Sequence, residues 1–304
     1  MRRILLIFSL LVFTQNLFAG AEVWASHIMH NGKKRDFRVV NPDLSERNPV
    51  PLVIVLHGGG GNMNQVERFT GFTTYAKIEK FIVAYPQGLY TQWNDGREIF
   101  QSRTHRKKTD DTGFISKMID AIGGKYNIDK GRVYVAGISN GGFMALRLAC
   151  ELSHKITAVA AVTATMNKYL GKTCVLKSPV SVLIINGTDD PLVPYNGGHV
   201  RVGRKKRGRI LSTEKTIEKF RDLNDCKKNR LKVSFMDSID DGTKIQKKVY
   251  KCGNSVEIGL YQVIGGGHTW PGGPQYLPEK AIGKVSKEFD ATELIWEFFK
   301  GKTK

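Results

Sequence analysis

At 304 residues, 41% of them hydrophobic and 10% aromatic, the chain can bury a substantial core as one α/β domain, and it contains no internal repeat or low-complexity tract. Its 47 Lys and Arg against 28 Asp and Glu give a formal net charge of +19, so an anionic partner must be weighed; nucleic acid is set aside for a chain that reads as exported. Past the first residues, no segment is apolar for the roughly 20 residues that a membrane-spanning helix needs.

The N-terminus opens with Met1-Arg2-Arg3, continues through the apolar residues 4–13, and offers Ala19-Gly20-Ala21 as a cleavage site. That is the pattern of a secretory signal peptide over residues 1–21, which leaves 22–304 as a single catalytic domain in a periplasmic or extracellular setting. Interrupted by Thr14-Gln15-Asn16, the apolar stretch is too short to remain as an anchor. A hairpin is expected at 27–40 and a buried strand at 52–56, followed by a helix near 66–80, a strand at 81–85 and a helix at 112–126. A short apolar strand at 133–136 comes next, then apolar units at 156–162 and 181–185. A helix at 213–223, paired strands within 231–250 and 256–264, and an amphipathic helix at 291–299 complete the chain. Repeated strand-helix units predict a doubly wound, mostly parallel sheet with helices on both faces and loops gathered at the carboxyl ends of the strands.

Three loops placed there carry chemistry. Gly137-Ile138-Ser139-Asn140-Gly141 lies between the strand at 133–136 and a helix-like stretch at 143–150, the context of a nucleophile elbow. Small residues flank Ser139 because a sharp strand-to-helix turn crowds the backbone, and the turn sets the hydroxyl above a helix N-terminus. After the strand at 180–186 comes Gly187-Thr188-Asp189-Asp190-Pro191, where either aspartate can orient a histidine; Asp190 is preferred because the following proline helps fix its backbone. His268, in Gly265-Gly266-Gly267-His268-Thr269-Trp270-Pro271, combines a late position, a strand end and a glycine-rich approach. The chain order is then serine, acid, histidine, and the implied chemistry is acyl transfer. Ser139 attacks a carbonyl, His268 takes and returns the proton, and Asp190 fixes the imidazole tautomer. The run from Val53 to Asn62, through Leu56-His57-Gly58-Gly59-Gly60-Gly61, supplies an oxyanion hole, with the amides of Gly59 and Asn140 as donors and Gly58 as the alternative to Gly59. His57 is read as shaping that loop. Trp270 reads either as a stacking surface for an aromatic or sugar ring at the mouth of the site or as the plug of a loop. Trp93, Asn94 and Tyr195 are read as packing residues.

The four cysteines suit an oxidising compartment, and the favoured pairing is Cys150 with Cys174 and Cys226 with Cys252, each closing a local loop. No C-x-x-C or paired-histidine spacing accompanies them, so no metal is expected, and the acyl transfer read above calls for no organic cofactor.

Taken together these residues resemble the secreted polyhydroxybutyrate depolymerase and feruloyl esterase group, the family-one carbohydrate esterases of the α/β-hydrolase fold. The likeness rests on Leu56-His57-Gly58-Gly59, Tyr85-Pro86-Gln87-Gly88, Trp93-Asn94-Asp95, Asp110-Asp111-Thr112-Gly113-Phe114, the Ser139 pentapeptide with Gly142, Asp190 to Tyr195, Gly267 to Gly272, and Ala291-Thr292-Glu293-Leu294-Ile295-Trp296. It runs from about Val23 to the C-terminus, and it implies Ser139, Asp190 and His268 as the triad. Depolymerases of the group often carry cysteine at the position of Gly59, a change that a backbone donor tolerates. Those acting on solid polymer commonly add a linker and a substrate-binding domain, so oligomers are the better expectation here. The implied function is a secreted serine carboxylesterase for hydroxyalkanoate oligomers or for phenolic and acyl esters of polysaccharides. Two alternatives are a serine peptidase on the same fold and a non-catalytic binder of anionic surfaces. The second would use the basic run Arg201-Val202-Gly203-Arg204-Lys205-Lys206-Arg207-Gly208-Arg209, whose plain reading is a solvated loop and whose functional reading is attachment to an anionic surface or glycan.

Overall fold

The computed structural model describes residues 22–42, 48–99, 102–226, 231–253 and 255–304. The expected signal peptide, 1–21, lies outside the described residues. The strands are β1 (Glu22–His30), β2 (Lys33–Asn41), β3 (Val50–Leu56), β4 (Ile82–Pro86), β5 (Ile128–Ile138), β6 (Ala158–Val162), β7 (Ser181–Gly187), β8 (Gly198–Val202), β9 (Lys205–Ile210), β10 (Leu231–Met236), β11 (Lys244–Lys251) and β12 (Glu257–Ile264). Ten of them form one sheet in the order β1-β2-β4-β3-β5-β6-β7-β12-β11-β10. The centre, β4 through β12, is parallel, while β1, β2, β11 and β10 add antiparallel margins.

The parallel strands are continuous runs of Val, Ile, Leu and Ala because helices cover both faces. With the twofold alternation of a strand, Leu52, Ile54, Val133 and Val135 point to one face and Val53, Val55, Tyr134 and Ala136 to the other. The first face packs α4 (Asp111–Lys125), α5 (Asn140–Glu151) and α7 (Thr213–Leu223); the second packs α1 (Met63–Thr70), α2 (Phe72–Glu79) and α9 (Ala291–Lys300). Three shorter helices, α3 (Arg103–Arg106), α6 (Lys168–Thr173) and α8 (Glu279–Ile282), lie in the connections. Among the described residues no helix is long and apolar enough to cross a membrane.

Two expectations need correcting. The helix expected at 66–80 is two helices, because Gly71 adopts φ 68°, caps α1 through its amide to the Glu67 carbonyl, and redirects the chain into α2. The basic run at 201–209 is not a loop: β8 and β9 pair as an antiparallel hairpin closed by Gly203, at φ 57°, and Arg204. Disulfides join Cys150 to Cys174 and Cys226 to Cys252.

Candidate active site

Ser139 stands where β5 turns into α5. Its φ and ψ, 54° and −119°, lie in a region that costs a residue with a Cβ on the order of 1–3 kcal/mol, and the surroundings must over-determine it. They do so by close approach. A Cβ on Gly137 would collide with the backbone of Gly141, and one on Gly141 with the Leu56 carbonyl at the end of β3. The Ser139 amide is meanwhile held by the Val162 carbonyl of β6 at 2.9 Å. Strand β5 is thus wedged between neighbours that fix the elbow, and the twelve-residue α5 begins directly beyond it.

His268 and Asp190 approach from the ends of β12 and β7, which are adjacent in the sheet. The His268 Nδ1 lies 2.7 Å from Asp190 Oδ2, and both residues are buried. Asp190 Oδ1 accepts the amides of Leu192 and Val193, each at 2.8 Å, so the carboxylate is held at both oxygens. Asp189 instead accepts a hydroxyl bond from its neighbour Thr188, which separates the two aspartates that sequence alone left open. With Nδ1–H donating to a carboxylate, Nε2 carries the lone pair. Ser139 and His268 line one cavity of about 720 Å³, together with Gly58 and Gly59.

The glycine loop after β3 runs beside Asn140; a Cβ on Gly59 would lie 3.6 Å from that of Asn140, and one on Gly58 would lie 3.7 Å from that of Ser139. Within this loop the Gly60 amide goes to the Thr91 carbonyl and the Gly61 amide to Gly58. Among the described residues the amides of Gly58, Gly59 and Asn140 have no protein acceptor. His57 is structural, as its position suggested. Its Nε2 accepts from the Gly88 amide at 2.9 Å, which places the proton on Nδ1, and Nδ1 donates to the Gly58 carbonyl at 2.8 Å. Burial lowers its pKa to about 4, a hydrogen bond to Gly58 opposing only in part, so the ring is neutral at neutral pH.

Beneath the elbow lies a network that the sequence did not single out. Asn140 accepts the Trp93 amide through Oδ1 at 2.7 Å and donates through Nδ2 to Asp95 Oδ2 at 2.5 Å. Arg97 grips the same carboxylate through Nε and Nη2, and its guanidinium lies 3.9 Å above the Phe143 ring. His105 Nε2 meets Asp95 Oδ1 at 3.1 Å. Burial pushes the Asp95 carboxyl up, but the Arg97 charge and the bonds from His105 and Arg97 outweigh it and hold the group well below the usual carboxylate range. Trp93 and Asn94 pack as expected: the indole donates to the His57 carbonyl at 2.9 Å, and the Asn94 amide goes to Asp111 at 2.6 Å.

Trp270 does not line the cavity. It is 1% exposed, edge-on to Phe69 and Phe72, with its indole N–H on Thr292 Oγ1 at 3.1 Å; it plugs the loop that carries His268. Phe69 and Tyr276 occupy the cavity wall instead, and the Tyr276 hydroxyl donates to the His268 carbonyl at 2.9 Å. Among the described residues no group of three or more His, Cys, Asp or Glu is placed to hold a metal ion.

A family model described as "Putative esterase" matches residues 26–272. This chain belongs to that esterase family. It is an enzyme, a serine hydrolase acting on carboxylic ester bonds. A Nocardia uniformis subsp. tsuyamanensis protein named "Putative esterase NocK" is 28% identical over 296 residues, covering 93% of this chain and 84% of its own length. Feruloyl esterase B of Piromyces equi is 28% identical over 230 residues, or 72% of this chain; the chain spans only 39% of that relative. Among solved structures, an acetyl xylan esterase from Aspergillus awamori superposes with a TM-score of 0.57 at 15% identity, over 82% of this chain and 94% of that one. The esterase has the α/β-hydrolase fold, a mixed and mostly parallel sheet clothed by helices.

Proposed function

We propose that this esterase is an exported carboxylesterase working through Ser139, His268 and Asp190, with ester-linked hydroxyalkanoate oligomers or phenolic and acyl esters of polysaccharides as substrates. The observation that carries the reading is the pairing of His268 with an Asp190 carboxylate held at both oxygens, on a cavity that the strained Ser139 also lines.

In the first half-reaction Ser139 Oγ adds to the ester carbonyl as His268 Nε2 takes the hydroxyl proton, and Asp190 stabilises the imidazolium. The oxyanion points at the amides of Gly59 and Asn140, each such donor being worth about 3 kcal/mol in the transition state. Collapse expels the alcohol, which leaves with the proton from His268, and an acyl-enzyme remains. Water then enters with His268 again as base, and the free acid departs. Export is supported by the N-terminal pattern over 1–21 and by two disulfides in the folded part. The names of the feruloyl and acetyl xylan esterase relatives support the acyl classes. The exposed Arg201, Arg204, Lys205, Lys206 and Arg209 of the β8–β9 hairpin suit attachment to an anionic surface or glycan.

The test is the initial rate of the mature, oxidised protein and of Ser139→Ala on 3-hydroxybutyrate oligomers, methyl ferulate, acetylated xylan and p-nitrophenyl butyrate. Turnover by the wild type should fall by at least about a thousandfold in the variant. A variant that keeps its activity would remove Ser139 from the mechanism.

A further inference from the structure

We infer that Arg207 reads a negative charge on the substrate, so that this pocket selects esters bearing a free carboxylate over their neutral counterparts; the inference rests on the site proposed above. The cavity beside Ser139 has an apolar portion, formed by Val66, Phe69, Ile138, Leu192 and Leu277, and a cationic portion containing Arg68, Arg97 and Arg207. Among the described residues, no Asp or Glu lines it. A cleft with one sign of charge and low-dielectric walls concentrates ions of the other sign.

The three arginines are not equivalent. Arg97 is neutralised by Asp95 behind it, and Arg68 is exposed at its place on α1. Arg207 is partly buried, and its Nε is shut off from water without a hydrogen-bond partner. Among the described residues no carboxylate stands within ion-pair distance of it. With no carboxylate beside it, on a cavity that no acid lines, the Arg207 charge is left to pair with an anion that enters. Position is fixed as well. Arg97 Nη1 donates to the Arg207 carbonyl at 3.3 Å, Gly208 at φ 87° lies against the Arg97 stem, and Ile210 bridges to Asn167. The β8–β9 hairpin therefore has two roles for its charge: Arg201, Arg204, Lys205, Lys206 and Arg209 are exposed, whereas Arg207 enters the pocket wall. The forked guanidinium suits a planar carboxylate better than an ammonium would.

The experiment compares two p-nitrophenyl esters of one shape, the adipic acid half-ester, whose far end is a carboxylate, and its neutral half-amide. In the wild type the ratio of kcat/KM, acid over amide, should exceed about tenfold, in line with a charge-assisted hydrogen bond, and it should shrink as ionic strength rises. In Arg207→Gln the ratio should fall to about one, with the change in KM. Because both substrates are measured on the same preparation, partial loss of folded protein cancels. The wild-type ratio, and stronger inhibition of half-amide turnover by adipate than by adipamide, need no variant. A wild-type ratio near one, or a ratio that Arg207→Gln leaves unchanged, would overturn the inference while a dead Ser139→Ala kept the site intact. Absence of turnover of either ester by the wild type would overturn the site and the inference together.

Discussion

Asp95 lies off the cavity wall yet anchors the Asn140 side chain, and Asp95→Asn is the perturbation that tests what this anchoring does. The buried carboxylate receives Arg97 through Nε and Nη2, Asn140 through Nδ2, and His105 through Nε2. An amide at this position keeps one acceptor but turns an NH₂ toward groups that are themselves donors. It also leaves the Arg97 charge buried without compensation, and breaking a buried pair from one side costs about 3–5 kcal/mol. At about 2–4 °C per kcal/mol for a domain of this general size, Tm should fall by about 10 °C. Function should suffer separately, because in the proposed mechanism Asn140 supplies the backbone donor next to Ser139, and its side chain is anchored by Asp95 and Trp93. A donor displaced rather than deleted should lower kcat by about tenfold to a hundredfold with KM nearly unchanged. Thermal unfolding by circular dichroism and steady-state kinetics on p-nitrophenyl butyrate measure the two effects. A double variant, Asp95→Asn with Arg97→Met, should recover much of the Tm, since the orphaned charge is gone, but not the kcat. The folded-state pKa of Asp95 lies below its unfolded value, so its stabilisation is complete above about pH 4 and is lost only as the pH falls further. The kcat defect should therefore not vary with pH in the neutral range. A Tm within about 2 °C of wild type and a kcat within about twofold would refute the reasoning.

Two other outcomes follow from the same structure. His57, whose pKa drops from 6.5 to about 4 on folding, binds fewer protons in the native state than in the unfolded one across that interval. Stability should thus decline as the pH falls from about 6.5 to about 4, by up to about 3 kcal/mol, and His57→Gln should flatten that slope in urea unfolding measured at several pH values; an equally steep slope in the variant would assign it to other groups. On the hairpin, replacing Arg204, Lys205 and Lys206 with serine should bring elution from a heparin matrix to lower salt without altering ester turnover, because these side chains are exposed and lie off the cavity; unchanged retention would dispose of the surface-attachment reading.

Much of the fold was legible because the parallel strands had to be apolar on both faces and the helices on one. Hence 213–223 and 291–299 emerge within a residue of α7 and α9. The broken helix at Gly71 was missed because a glycine inside a helical pattern is tolerated as often as it terminates one, and only its positive φ decides. The hairpin was hidden by its own charge. Val200 and Val202 alternate with Arg201, and Gly203-Arg204 is a two-residue connection, both strand signals, but the density of Arg and Lys reads as a solvated loop.

The site divides along the same line between backbone necessity and side-chain partnership. Glycines at 137 and 141 are demanded by backbone collisions that any occupant with a Cβ would suffer, so their spacing around Ser139 is a local signature that sequence can carry. The glycines before His268 are of the same kind, since a Cβ on Gly267 would strike the Ile282 carbonyl. Asp95, by contrast, has its role only because Asn140, 45 positions away, and His105, 10 positions away, converge on it; nothing in its neighbourhood except Arg97 announces a buried charge. Trp270, open in the sequence between a stacking surface and a loop plug, is the plug. Being two residues past the histidine suggested nearness to substrate, yet the chain bends at His268 and Thr269, beyond the end of β12 at Ile264, and carries Trp270 into the core. A large indole whose N–H finds Thr292 is more stable in the core with Phe69 and Phe72 than at the mouth. Positions set by the main chain's own crowding, the glycines around Ser139 and before His268, were readable; residues whose place depends on a distant partner, Asp95, Arg207 and Tyr276 among them, required the fold.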